Sequence, residues 1–148
     1  MQLDNLYQEV ILDHYKNPQN KKLHDNPGAQ VLHINPSCGD EVTVAVSLDG
    51  DRVSAVSWEG VGCSISQAST SIMTDLLMGK TLQEATAISE NFLELMQSKG
   101  ALEGDPEILE DAVALAGVSQ YPARIKCALL GWMAFKDASL QAQAGQSS

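Results

Sequence analysis

Basic residues are scarce in this chain: nine Lys and Arg stand against 19 Asp and Glu over 148 residues, a formal net charge of -10. Surfaces that bind phosphate backbones or anionic membranes need Lys/Arg clusters, so neither nucleic acid nor a membrane is an expected partner. Long apolar runs are missing, and no charged-then-apolar leader opens the sequence. There are only three cysteines, an odd number that cannot pair off within the chain. The expectation is a cytoplasmic protein whose thiols are reduced unless they are catalytic or metal-bound. No internal repeat is visible, and the length with 44% apolar residues suits one core. The domain is expected to span 1-140, with the Gln/Ala/Gly/Ser-rich segment 141-148 as a disordered tail.

What is present divides into a strand-rich first half and a helical second half. Leu3, Leu6, Tyr7, Val10, Ile11 and His14 share one helical stripe, which Asn17-Pro18 stops. Residues 29-35 read as a strand. Val42, Val44, Val46 and Leu48 alternate as a half-buried strand does, Asp49-Gly50 marks a tight turn, and Arg52 to Trp58 has strand composition. From Ser64 the period becomes helical through Leu77, and Gly79-Lys80 ends it. Thr81 with Glu84 is a capping-box pattern for a helix to about Lys99. Asp105-Pro106 and Pro122 each open a further helix. The layout predicts an α+β domain, a small antiparallel three-stranded sheet with helices packed on one face.

The three cysteines each occur in an unusual setting. Cys38 sits in a Pro/Gly loop with Asp40 two residues later, so both side chains leave the same face of an extended loop. Cys63 follows Gly60-Val61-Gly62 at the amino end of a helix, where unpaired N-H groups favour an anion. Cys127 lies on the last helix, and Arg124, three residues earlier, projects from the same side. A lone cysteine is more often a small buried hydrophobe. Three in such contexts, with a spaced carboxylate, make a four-ligand set for a thiophilic ion: Cys38, Asp40, Cys63 and Cys127. Three thiolates and one carboxylate around a divalent ion leave a surplus of about two negative charges, which Arg124 and Lys126 are placed to offset. Two ligands are fixed to helices, whereas the loop residue Cys38 is the one most easily released to act as a nucleophile. A purely structural zinc site has the same spacing.

Four stretches in order resemble the SufU/IscU family, the NifU amino-terminal fold of iron-sulfur cluster biogenesis. They are Asp13-His14-Tyr15-Lys16-Asn17-Pro18 with Leu6-Tyr7 before it, Asn35-Pro36-Ser37-Cys38-Gly39-Asp40, Gly60-Val61-Gly62-Cys63-Ser64-Ile65-Ser66, and Gly117 through Cys127. Lys126 stands where IscU-type scaffolds carry a histidine, and residues 90-110 form a segment of the kind that lengthens SufU relative to IscU. The resemblance implies a zinc-dependent sulfurtransferase, with zinc on Cys38, Asp40, Cys63 and Cys127. It implies a SufS-type cysteine desulfurase as the persulfide source, a histidine of which replaces the loop cysteine on zinc. Cys38 is then the acceptor, Arg124 steadies its thiolate or persulfide, and SufBCD-type machinery receives the sulfur. One alternative is a scaffold for a transient [2Fe-2S] cluster on the same donors. A second is an adaptor that docks the desulfurase around a structural zinc.

The remaining polar and apolar features have plainer expectations. His14 is expected to pack or face solvent, and His24 and His33 have no metal-like spacing to a cysteine. Met73, Met96 and Met133, and Trp58 and Trp132, are expected to pack. Glu103, Asp105, Glu107, Glu110 and Asp111 read as a solvated face or as a complement to a basic patch on the desulfurase.

Overall fold

Helices cover one face of a three-stranded antiparallel meander in the computed structural model, which describes residues 5-37 and 39-146. The chain runs α1 (Asn5–Lys16), β1 (Ala29–Asn35), β2 (Asp40–Asp49), β3 (Arg52–Val61), α2 (Ser64–Leu77), α3 (Leu82–Gln97), α4 (Pro106–Leu109), a 3-10 segment (Glu110–Gln120) and α5 (Pro122–Gln146).

The predicted alternation sets the register. Val44 opposes Val31 on one side and Trp58 on the other, and Val46 opposes Ala29 and Val56. Opposed residues share a face, so Val42, Val44, Val46, Val56 and Trp58 turn a buried apolar surface toward α2 and α5. The far face is more polar and is partly covered by the irregular stretch after α1. There His24 bridges Ser57 and, at 2.8 Å, Ser47. The outer edge of β3 is closed by backbone bonds from Val53 N-H to Lys80 O, Gly79 N-H to Val53 O and Trp58 N-H to Asn20 O. An edge occupied in this way is not a template for stray strand pairing.

α2 is the central helix, with residues buried from Ile65 to Thr74. Its hydroxyls bond locally or to neighbours: Ser69 Oγ donates to Ala128 O (2.6 Å), and Trp132 Nε1-H donates to Ser69 Oγ (3.0 Å). α5 crosses α2 closely at Gly131, where a side chain would overlap Thr70. Trp132 stacks on Phe92 of α3, with ring centroids 4.2 Å apart. Met73 and Met96 are buried as expected, while Met133 is half-buried.

Three details differ from the sequence reading. β3 continues past Trp58 to Val61, because Glu41 of β2 still pairs with Val61. The α-helix opened by Pro106 lasts four residues, for Glu110 adopts φ 47° and the chain continues as 3-10 turns. Small residues, Ala112, Ala114 and Ala116, let that tighter coil pack into the core. α5 continues to Gln146, into the segment 141-148 expected to be a tail, with Ala142 buried and Gln146 Nε2-H donating to Leu48 O at 3.1 Å; residues 147-148 lie outside the described residues. His14 takes the packing alternative of its two expected settings: it is buried and joins three elements, Nδ1 to Ser71 Oγ at 2.8 Å and Nε2 to Asp111 Oδ2 at 3.0 Å.

Candidate metal centre

Asp40 opens β2, and the pairing of Glu41 with Val61 brings the end of β3 beside it. The chain then turns at Gly62 into α2, and Cys63 occupies the N-cap. The Cys63 N-H donates to Asp40 Oδ1 at 2.9 Å, so the carboxylate spans from strand start to helix start. Gly62 makes the approach possible: at φ 154° its missing Cβ would overlap Asp40 Oδ1 and lie 2.8 Å from Ser66 Oγ. Cys127 arrives from the second turn of α5, whose placement the Ser69, Trp132 and Gly131 contacts fix against α2.

The result is a cluster of three donors, Asp40 and Cys127 buried and Cys63 half-buried, whose ligand atoms all lie within 4.8 Å of one another. Cys63 Sγ is 3.9 Å from Asp40 Oδ2. Zinc bond lengths in a tetrahedron put neighbouring sulfur and oxygen ligands about 3.6 Å apart. Two thiols and a carboxylate at this spacing fit a thiophilic divalent ion with small adjustments. Among the described residues, these three come together from the four expected ligands. Cys38 lies outside the described residues, flanked by Ser37 and by Gly39, which has φ 70°.

Arg124 is exposed, and its guanidinium makes no hydrogen bond or ion pair among the described residues. Lys126 is exposed as well. His24 and His33 stay out of the cluster: His33 Nε2 pairs with Asp137 of α5 at 3.2 Å. That contact, followed by one from Gln141, holds the Asp137 carboxyl below its ordinary range. Within the acidic run, Asp105 caps α4 by accepting from Glu107 N-H (2.9 Å), and Asp111 serves His14.

Two neighbours of the cluster are not evident from spacing. Gly62 reads as one of several glycines until the Asp40 approach is known. Asn35 heads the Cys38 loop and pairs in register with Asp40, which places both side chains on the face turned toward α5. The signal available in the sequence was the hairpin itself, whose closing pair is Asn35 and Asp40.

Comparison with known proteins gives consistent matches. The family described as NifU-like N terminal domain matches residues 6–128. The zinc-dependent sulfurtransferase SufU of Bacillus subtilis is 46% identical over 144 residues, 97% of this chain and 95% of that protein. The iron-sulfur cluster assembly scaffold protein IscU of Streptococcus pyogenes is 40% identical over 136 residues, 92% of this chain and 84% of that one. Among solved structures, an iron-sulfur cluster assembly scaffold protein for the SUF system from Fervidobacterium islandicum superposes with a TM-score of 0.81. It has 38% identity and covers 88% of this chain and 93% of that one. The amino-terminal part of a NifU-like protein from Brucella abortus gives a TM-score of 0.83 at 25% identity, covering 95% and 96%. The three-stranded sheet with its helices is the architecture these neighbours share.

Proposed function

Because the chain belongs to the family of the NifU-like N terminal domain, we propose that it is a zinc-dependent sulfurtransferase of iron-sulfur cluster assembly. It takes persulfide sulfur from a SufS-type cysteine desulfurase onto Cys38 and passes it to SufBCD-type assembly machinery, in the cytoplasm. The observation that carries this reading is the cluster of Asp40, Cys63 and Cys127 within 4.8 Å. Its kinship with a zinc-dependent sulfurtransferase over nearly the whole chain supports it. No helix among the described residues is long and apolar enough to cross a membrane.

Asp40, Cys63 and Cys127, with Cys38 as fourth donor, are the residues that would hold the ion. Zinc there would keep its thiol ligands deprotonated and contribute no redox chemistry of its own. The Cys38 thiolate attacks the outer sulfur of the desulfurase persulfide. A new S-S bond forms at Cys38 as the old one breaks, and the desulfurase cysteine leaves as a thiolate. Sulfur moves with no net oxidation. Arg124, exposed and uncommitted among the described residues, hydrogen-bonds the anionic Cys38 persulfide.

A scaffold role, with a transient [2Fe-2S] cluster on the same donors, is the second reading, favoured by the kinship with IscU. Metal analysis of protein purified without added iron, followed by a persulfide assay with desulfurase and cysteine, separates the readings. Stoichiometric colourless zinc, with transfer lost in Cys38→Ala, is the expected result. A brown labile cluster would instead establish the scaffold. Desulfurase stimulation that survives Cys38→Ala would leave an adaptor around a structural zinc.

A further inference from the structure

Among the described residues, two buried side-chain polar atoms lack a hydrogen-bond partner, Asn35 Nδ2 and Ser89 Oγ. Ser89 borders an apolar cavity between α3 and α5. Asn35 stands at the candidate metal centre. It is 7% exposed, it ends β1, and it opposes Asp40, so its amide is on the same face as that carboxylate. A buried amide N-H with nothing to donate to is destabilising, and native folds rarely keep one without a use.

The donors around it supply the use. Asp40 is fully buried, yet among the described residues only the Cys63 N-H reaches its Oδ1 as a close donor. The two thiolates and one carboxylate of the cluster around a divalent ion would already carry about one surplus negative charge, and such ligands are normally oriented by hydrogen bonds from outside the coordination sphere. The two cations nearest in sequence, Arg124 and Lys126, are exposed. We infer that the Asn35 side-chain amide is a hydrogen-bond donor to the anionic ligands of the filled centre. It is a positioning residue, unsatisfied without the ion and satisfied with it. This inference rests on the metal reading above and adds a residue to it.

The test compares wild type, Asn35→Leu and Asn35→Asp by zinc affinity in chelator competition, by the visible absorption of the Co2+-substituted protein, and by thermal unfolding of the metal-free protein. Leu keeps the approximate shape and removes the unsatisfied amide, so metal-free Asn35→Leu should unfold at the same or a higher temperature than wild type. Its zinc affinity should fall about 10- to 100-fold, with shifted Co2+ bands. Asn35→Asp, which loses the donor and adds a charge, should lose at least as much affinity. Unchanged affinity and Co2+ bands in both variants overturn the role of Asn35 while leaving the metal site standing. A metal-free Asn35→Leu that unfolds earlier overturns it too, because the residue is then a structural support. Wild type that binds no zinc overturns the metal reading, and this inference with it.

Discussion

Gly62 and Asp40 are in such close contact that the one has room for no side chain while the other keeps its carboxylate buried. The Gly62→Ala methyl group would displace Asp40 or push Cys63 off the helix start. The expected outcome is a stability loss of about 1–3 kcal/mol, the range for forced overpacking. Zinc affinity should fall with it, and the bond from Cys63 N-H to Asp40 should be lost. Urea unfolding of the metal-free protein, together with chelator competition, measures the two effects.

Arg124 serves no contact that the described fold depends on, which makes it a clean probe of function. Arg124→Ala should change unfolding free energy by no more than about 0.5 kcal/mol, as for ordinary surface substitutions. Zinc content should be unaltered. Persulfide acceptance should drop roughly ten- to a hundredfold, the equivalent of one hydrogen bond to a charged group. Equal acceptance by variant and wild type would remove Arg124 from the transfer step.

His14 ties α1 to α2 through Ser71 and to the 3-10 segment through Asp111. Truncation to Ala opens a hole and strips a partner from both. A loss of about 2–3 kcal/mol is expected, read as a lower urea midpoint. Zinc affinity in the folded variant should stay near that of wild type, since His14 is not among the clustered donors.

Acid should loosen two specific links. Glu84, whose carboxyl is held below its ordinary 4.5 first by the Thr81 backbone N-H, completes the α3 capping box. Asp137, held below 3.8 first by His33, joins α5 to β1. A carboxyl whose pKa is lower in the folded state contributes stability above its unfolded value and loses that contribution as pH falls through the folded one. Both contributions are therefore present at neutral pH and vanish below the ordinary carboxylate range. Asp137→Asn should flatten the acid limb of stability against pH. An unchanged acid limb would show that solvent screens the His33 contact completely, as happens at many exposed pairs.

The strands were legible because Val42, Val44 and Val46 repeat with a period of two, and Cys63 was legible as a helix start because glycines precede it and the period changes after it. Three of the four expected ligands come from separate elements, and their meeting depends on strand register and on the α2/α5 crossing, which local pattern only implies. The 3-10 segment escaped because Ala112 to Ala116 suits either coil, and φ at Glu110, a tertiary outcome, decided between them. The end of α5 escaped for a related reason: Gln and Ala look uncommitted until Ala142 meets the backbone around Gly28.

The Asn35 and Asp40 pair closes β1 onto β2 with only four residues between them. Chain geometry allows about 3.6 Å per residue, so residue 38 stays tethered within about 7 Å of the Asp40 Cα. The side chain and one further sulfur lengthen that tether by only a few ångströms. Under the proposed transfer, a protein that loads Cys38 and one that unloads it would therefore both meet the chain at this same end of the hairpin.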